Sequence, residues 1–158
     1  LYNMYIFMII CYLLMLVNII NLALSGISGY FKLEIIGANH VEFALFSMMI
    51  FIITETLVMY FFIATGKSIK EAVEKNLGNK EIWEKERKLK MKLFPQLMLT
   101  LLLFSIIFIY GGVADNKLPT AYLHGYLFPI AMLHHIWTLK IKNNSFRDQI
   151  ELIGKLDS

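Results

Sequence analysis

The chain has one cysteine, three prolines and few charges among its 158 residues. The single Cys11 excludes an intramolecular disulfide and a cysteine-ligated zinc site. Charged residues make up 17% of the chain, well below the roughly 25% of a soluble domain. The remainder is strongly apolar: 58% of the residues are hydrophobic and the mean hydropathy is +0.60. This balance argues against a soluble globular domain, a disordered tail and a secreted disulfide scaffold. It points to a membrane protein.

Recognisable catalytic and nucleic-acid motifs are also scarce. Gly66-Lys67-Ser68 echoes the end of a P-loop, but the upstream glycine is missing and no strand precedes it. Acidic and basic residues alternate in the 67–92 region, which argues against a nucleic-acid surface. Ser47 and Ser105 lie in apolar runs without a paired base, so no independent enzyme is expected. Metal-assisted oxidation within a membrane oxidoreductase complex is the one catalytic route kept open.

A membrane helix needs about 20 apolar residues. Four stretches approach that length, at about 4–24, 41–63, 94–110 and 122–139. The first carries no charge. It lacks a basic leading region and outruns a typical signal-peptide core, so it reads as a span. Glu55 alone interrupts the second. Pro95 is expected in the first turn of the third, where proline is tolerated. Pro119 and Thr120 announce the fourth, and Pro129 inside it is expected to kink the helix. The expected fold is therefore all-α, a single domain over 1–158 with four transmembrane helices.

Charge placement gives the orientation. The 67–92 region holds nine Lys/Arg residues and the 140–158 tail holds four, leaving only Lys32 and Lys117 for the other side. The positive-inside rule then makes both termini, the 67–92 loop and the tail cytoplasmic. A cytoplasmic (inner) membrane is expected, with an organellar inner membrane as the equivalent. Pairs such as Glu71–Lys75 and Glu81–Lys85 have the favourable helical spacing. The loop is thus read as a helical hairpin. One helix runs to about Glu74, Leu77-Gly78-Asn79 turns, and a second helix starts near Lys80. It is expected to be solvated and drawn to anionic lipid, or to dock other membrane subunits.

Ionisable residues within a span are functional candidates by default, because burying them in lipid is costly. Glu55 is one. The four histidines, His40, His124, His134 and His135, all lie on the second and fourth stretches or at their outer ends. These two stretches run in the same direction, so depth can be compared by counting. His40 and His124 fall near the outer end. Glu55 falls at about the depth of His134 and His135. Adjacent His134 and His135 cannot share a helix face, so only one of them serves any one site.

Two histidines from different helices suit a haem b, so His40 and His124 are the candidate cofactor ligands. Imidazole with a carboxylate suits a transition-metal ion, which makes Glu55, His134 and His135 the candidate metal residues. Asn18, Asn21 and Ser25 share a face of the first stretch and read as interhelical hydrogen bonding, as does Thr100 on the third. The expected function is a small integral-membrane subunit of a larger complex, carrying a redox site of this type. The alternative is an oligomeric transporter or proton-conducting channel that uses Glu55 and His135.

Overall fold

A computed structural model of the chain describes residues 2–75 and 78–156. Four long α-helices account for most of them: α1 (Tyr2–Phe31), α2 (His40–Glu74), α3 (Lys80–Asp115) and α4 (Tyr122–Gly154). The start of α2 is fixed by a capping box. Asn39 accepts a hydrogen bond from the Glu42 backbone N–H, and the Glu42 carboxylate accepts one from the Asn39 backbone N–H. Asn79 caps α3 by accepting from the Glu81 backbone N–H. The α1–α2 connection turns at Ile36 and Gly37, both at positive φ, where glycine carries no penalty.

Short connections force neighbouring helices to run antiparallel. α1 packs on α2, α2 on α3 and α3 on α4, with lighter contacts from α4 to α1 and α2. Tyr12 meets Asn143, Asn18 meets His135 and Tyr30 meets Gly125, so α1 and α4 are antiparallel as well. The start of α1 and the end of α4 therefore lie at one end of a four-helix bundle, here the terminal end. His40 and His124 lie at the opposite end, here the histidine end.

Buried positions repeat in steps of four and three along each helix. On α1 they are Cys11, Met15, Asn18, Leu22 and Ser25, and on α3 Leu93, Leu97, Thr100, Phe104 and Ile107. On α4 the same spacing runs from Ala131 through His135, Thr138, Lys142, Ser145 and Gln149 to Leu152. This heptad period is the seam that lets long helices pack side by side. Its content is unusual, because many seam residues are polar. The surface is the reverse: Leu13, Ile20, Met49, Met98, Leu102 and Leu133 are among many exposed large apolar side chains. A polar interior inside an apolar surface is the arrangement that a lipid solvent selects.

α1, α2 and α3 are each long and apolar enough to cross a membrane, which makes this a membrane protein by length and composition. α4 does not join them on that measure, because Tyr122–Leu139 includes three histidines, a glycine and a proline. Other expectations need correction. The 67–92 region contains the ends of α2 and α3 and the turn between them. It is not a solvated hairpin throughout, since Ile69, Glu86 and Leu89 are buried. The expected turn at Leu77-Gly78-Asn79 falls between α2 and α3, although Leu77 lies outside the described residues. The 140–158 tail continues α4 to Gly154 and buries Lys142, Phe146 and Gln149 in the bundle. Pro95 sits well inside α3, because that helix begins fifteen residues earlier, at Lys80.

Candidate functional site

At the histidine end, small residues on α1 and α3 leave room between the helices. A cleft of about 570 Å³ opens there, lined by Gly26, Gly29, Gly111 and Gly112 among others. Leu22, Met48 and Phe104 line it on the apolar side. His40, in the first turn of α2, and His124, near the start of α4, both reach into this lining. Their ring centroids are 6.1 Å apart with the planes at 64°. Counting by depth placed these two at one level, and the bundle brings them together.

Each imidazole is held by its neighbours. His124 Nδ1 lies 3.0 Å from the Ile107 carbonyl oxygen. A carbonyl oxygen only accepts, so Nδ1 carries the proton and Nε2 is the unprotonated nitrogen of the neutral ring. This is the arrangement in which a second partner fixes the tautomer of a metal-ligating histidine. His40 packs against Gly29: a Cβ built there would lie 2.7 Å from His40 Cε1. Gly29 is thus the residue that allows the ring its position. A Cβ at Gly111 would stand 3.4 Å from His124 Cε1, an ordinary contact.

Two imidazoles fall short of the four ligands of a tetrahedral zinc site, whereas a haem supplies four nitrogens of its own. Among the described residues no group of three or more His, Cys, Asp or Glu side chains is placed to hold an ion.

The candidate metal residues at mid-depth have different partners. Glu55, fully buried, forms an ion pair and hydrogen bond with Lys142 of α4, not with a histidine. His134 turns towards α3, with Nδ1 3.0 Å from Thr100 Oγ1 and Nε2 3.4 Å from Gln96 Oε1. His135 turns the other way, towards α1, where Asn18 Nδ2 lies 3.5 Å from its Nε2. Phe51 and Phe104 flank its ring at 5.7 and 5.8 Å. The expected divergence of His134 and His135 holds, and their expected association with Glu55 is replaced by Lys142.

Several buried polar residues escaped the sequence reading. Lys142 falls in the stretch read as a cytoplasmic tail, yet it has no exposed surface. Gln149 donates from Nε2 to Thr65 Oγ1 at 2.9 Å. Glu86, also fully buried, meets Lys90 at 2.6 Å as an ion pair without hydrogen-bond alignment. The signal was present in the spacing, because Lys142 and Gln149 extend the seam of His135 in steps of seven. No protein-family model, curated protein or solved structure matches the chain.

Proposed function

We propose that this chain is an integral-membrane redox subunit that carries a haem b, or a comparable metal group bringing its own ligands, between His40 and His124. The observation that carries the reading is the pair of neighbouring imidazoles from two helices, with ring centroids 6.1 Å apart, in a glycine-walled cleft of about 570 Å³. His40 and His124 would be the residues that hold the group. The Ile107 carbonyl keeps His124 in the ligating tautomer. Gly29 and Gly111 leave the space, and the apolar floor limits water. A bound haem would supply one-electron chemistry. One redox centre needs a donor and an acceptor, so the chain acts within a larger membrane assembly.

In this reading all four helices cross the membrane. Ile130, Leu133, Ile136 and Trp137 give α4 an exposed apolar face that suits lipid. The terminal end, rich in Lys and Arg, faces the cytoplasm of an inner membrane, and the histidine end faces the opposite side.

The test is an optical spectrum of the detergent-purified protein, oxidised and then dithionite-reduced, with metal analysis of the same sample. A Soret band that shifts on reduction, present in Glu55→Gln and absent in His124→Ala, is the expected result. A chromophore retained in His124→Ala sinks the assignment. Stoichiometric metal without a Soret band replaces haem by another metal group.

A further inference from the structure

At the terminal end, α3 and α4 leave a groove of about 390 Å³ between them. Leu89 of α3 and Leu152 of α4, both buried, form its floor. Four lysines rim it: Lys85, Lys88 and Lys92 from α3 and Lys155 from α4. The carboxylates in the lining are Asp148 and Glu151 of α4. Two of the lysines are already matched. Lys85 pairs with Glu81 and Lys155 with Glu151, each at 2.6 Å and one turn apart. Lys85 also feels the charge of Glu151, and Glu81 that of Lys155, so these four groups form a balanced network between the two helices. Asp148 lies 3.8 Å from Arg147. Among the described residues no ion pair claims Lys88 or Lys92. The groove therefore keeps an excess of positive charge.

Lys88 and Lys92 are both exposed and stand one helical turn apart on α3. Like charges at that spacing repel each other, with Cβ atoms about 5–6 Å apart. One phosphate group can accept from both ammoniums across that gap. Depth singles out the same two residues. The apolar stretch of α3 begins at Phe94, so Lys92 lies about 3 Å and Lys88 about 9 Å beyond it along the helix. A hydrocarbon core of about 30 Å within a bilayer of about 40–45 Å leaves a headgroup layer about 5–8 Å deep on each side. The two ammoniums bracket that layer. The same helix face continues into the membrane as an apolar track. Steps of three and four lead from Lys85, Lys88 and Lys92 to Pro95, Leu99 and Leu102, all exposed. A cationic head and an apolar track on one face match an anionic headgroup and its acyl chain.

We propose that the groove between α3 and α4 binds an acidic phospholipid of the leaflet at the terminal end. Lys88 and Lys92 hold its phosphate, Leu89 and Leu152 receive its glycerol backbone, and its acyl chain follows Leu99 and Leu102. The inference rests on the bundle lying in a membrane and is independent of the haem assignment. A zwitterionic lipid is disfavoured here, because its headgroup brings a cation of its own to the lysines. General attraction of a basic surface for anionic lipid is the competing account. It would be served as well by Lys67 and Lys70 on α2, which pair with Glu71 and Glu74 and do not line the groove.

Native mass spectrometry of the detergent-purified full chain separates the two, with phosphatidylglycerol and phosphatidylcholine titrated as probes. The wild type should take up one phosphatidylglycerol ahead of any phosphatidylcholine. Lys88→Gln/Lys92→Gln should weaken that first adduct about thirtyfold, roughly fivefold for each lysine lost at the lipid surface. Lys67→Gln/Lys70→Gln removes the same charge at the same end and should leave the adduct unchanged. Lys88→Arg/Lys92→Arg should retain it. All these variants replace exposed side chains, and circular dichroism checks their helix content. Equal weakening in the two glutamine variants overturns the proposal in favour of general surface attraction. Equal affinity of the wild type for the two lipids overturns it without recourse to any variant. Inorganic phosphate in excess should fail to displace the lipid; displacement would make this a free-anion site and end the lipid assignment.

Discussion

The two ends of the bundle use the same helices and the same heptad spacing, yet they are built for different purposes. Towards the terminal end, Phe61, Phe62 and Phe146 interlock with Leu93 and Leu97, all fully buried. At the histidine end the corresponding positions hold Gly26, Gly29, Gly111 and Gly112, and a cleft opens. A shared seam therefore sets where helices meet, and side-chain volume sets whether that meeting is a plug or a pocket. Close packing resists change at the first end, and empty space tolerates it at the second.

The largest effect should come from breaking the charge pair that borders the plug. Glu55→Gln or Lys142→Met alone leaves one buried charge without its partner, which costs about 3–5 kcal/mol. Thermal unfolding in detergent, followed by circular dichroism, should show a steep loss for either single variant and substantial recovery in the double. Equal losses for singles and double would mean that the pair is not coupled.

Packing comes next. Phe146 contacts Tyr12, Phe61 and Phe62 with no exposed surface, so Phe146→Ala should cost about 3–5 kcal/mol through the cavity it leaves. Phe128 borders the existing cleft, and Phe128→Ala should cost clearly less in the same unfolding assay. Comparable losses would erase the contrast between plug and pocket.

Gly29→Val sharpens the comparison at the other end. Its side chain would collide with the His40 ring, since even a Cβ would sit 2.7 Å from Cε1. The expected outcome is loss of any bound chromophore in the optical spectrum with only a small shift in unfolding temperature. An unchanged spectrum would remove Gly29 from the site.

The smallest effect concerns acid pH. Hydrogen bonding and charge from Lys85 hold the Glu81 carboxyl below its ordinary value, and Lys155 does the same for Glu151. Both pairs span one helical turn at the exposed terminal end. A carboxyl lowered in the folded state stabilises fully above its unfolded pKa, about 4.3 for Glu, and loses that contribution as pH falls through the lowered folded value. Lys85→Gln and Lys155→Gln should therefore differ slightly from wild type in unfolding temperature at neutral pH, with the difference vanishing in acid. Exposure keeps the effect small.

Much of this architecture is legible in the residues. Asn39 with Glu42 marks the start of α2, and Asn79 with Glu81 marks the start of α3. Equal depth of His40 and His124 follows from counting along two helices that run in the same direction. The plug, the buried tail and the partners of Glu55 were less legible. Basic residues after Leu139 read as a cytoplasmic tail beyond the last span, because lysine is costly to bury. Lys142 departs from that rule because it lies on the seam, seven residues after His135, where the bundle carries it inwards.

The sequence by itself determined that the chain belongs in a membrane, that it is helical, and which residues recur on each helix face. Those properties follow from composition and from the 3.6-residue turn, both local. Only the tertiary structure decided that Glu55 pairs with Lys142 rather than a histidine, that His134 serves α3 while His135 serves α1, and that Glu86 is buried. Partner choice depends on helix rotation and on how far a long side chain reaches across the bundle, and neither is written in any one segment.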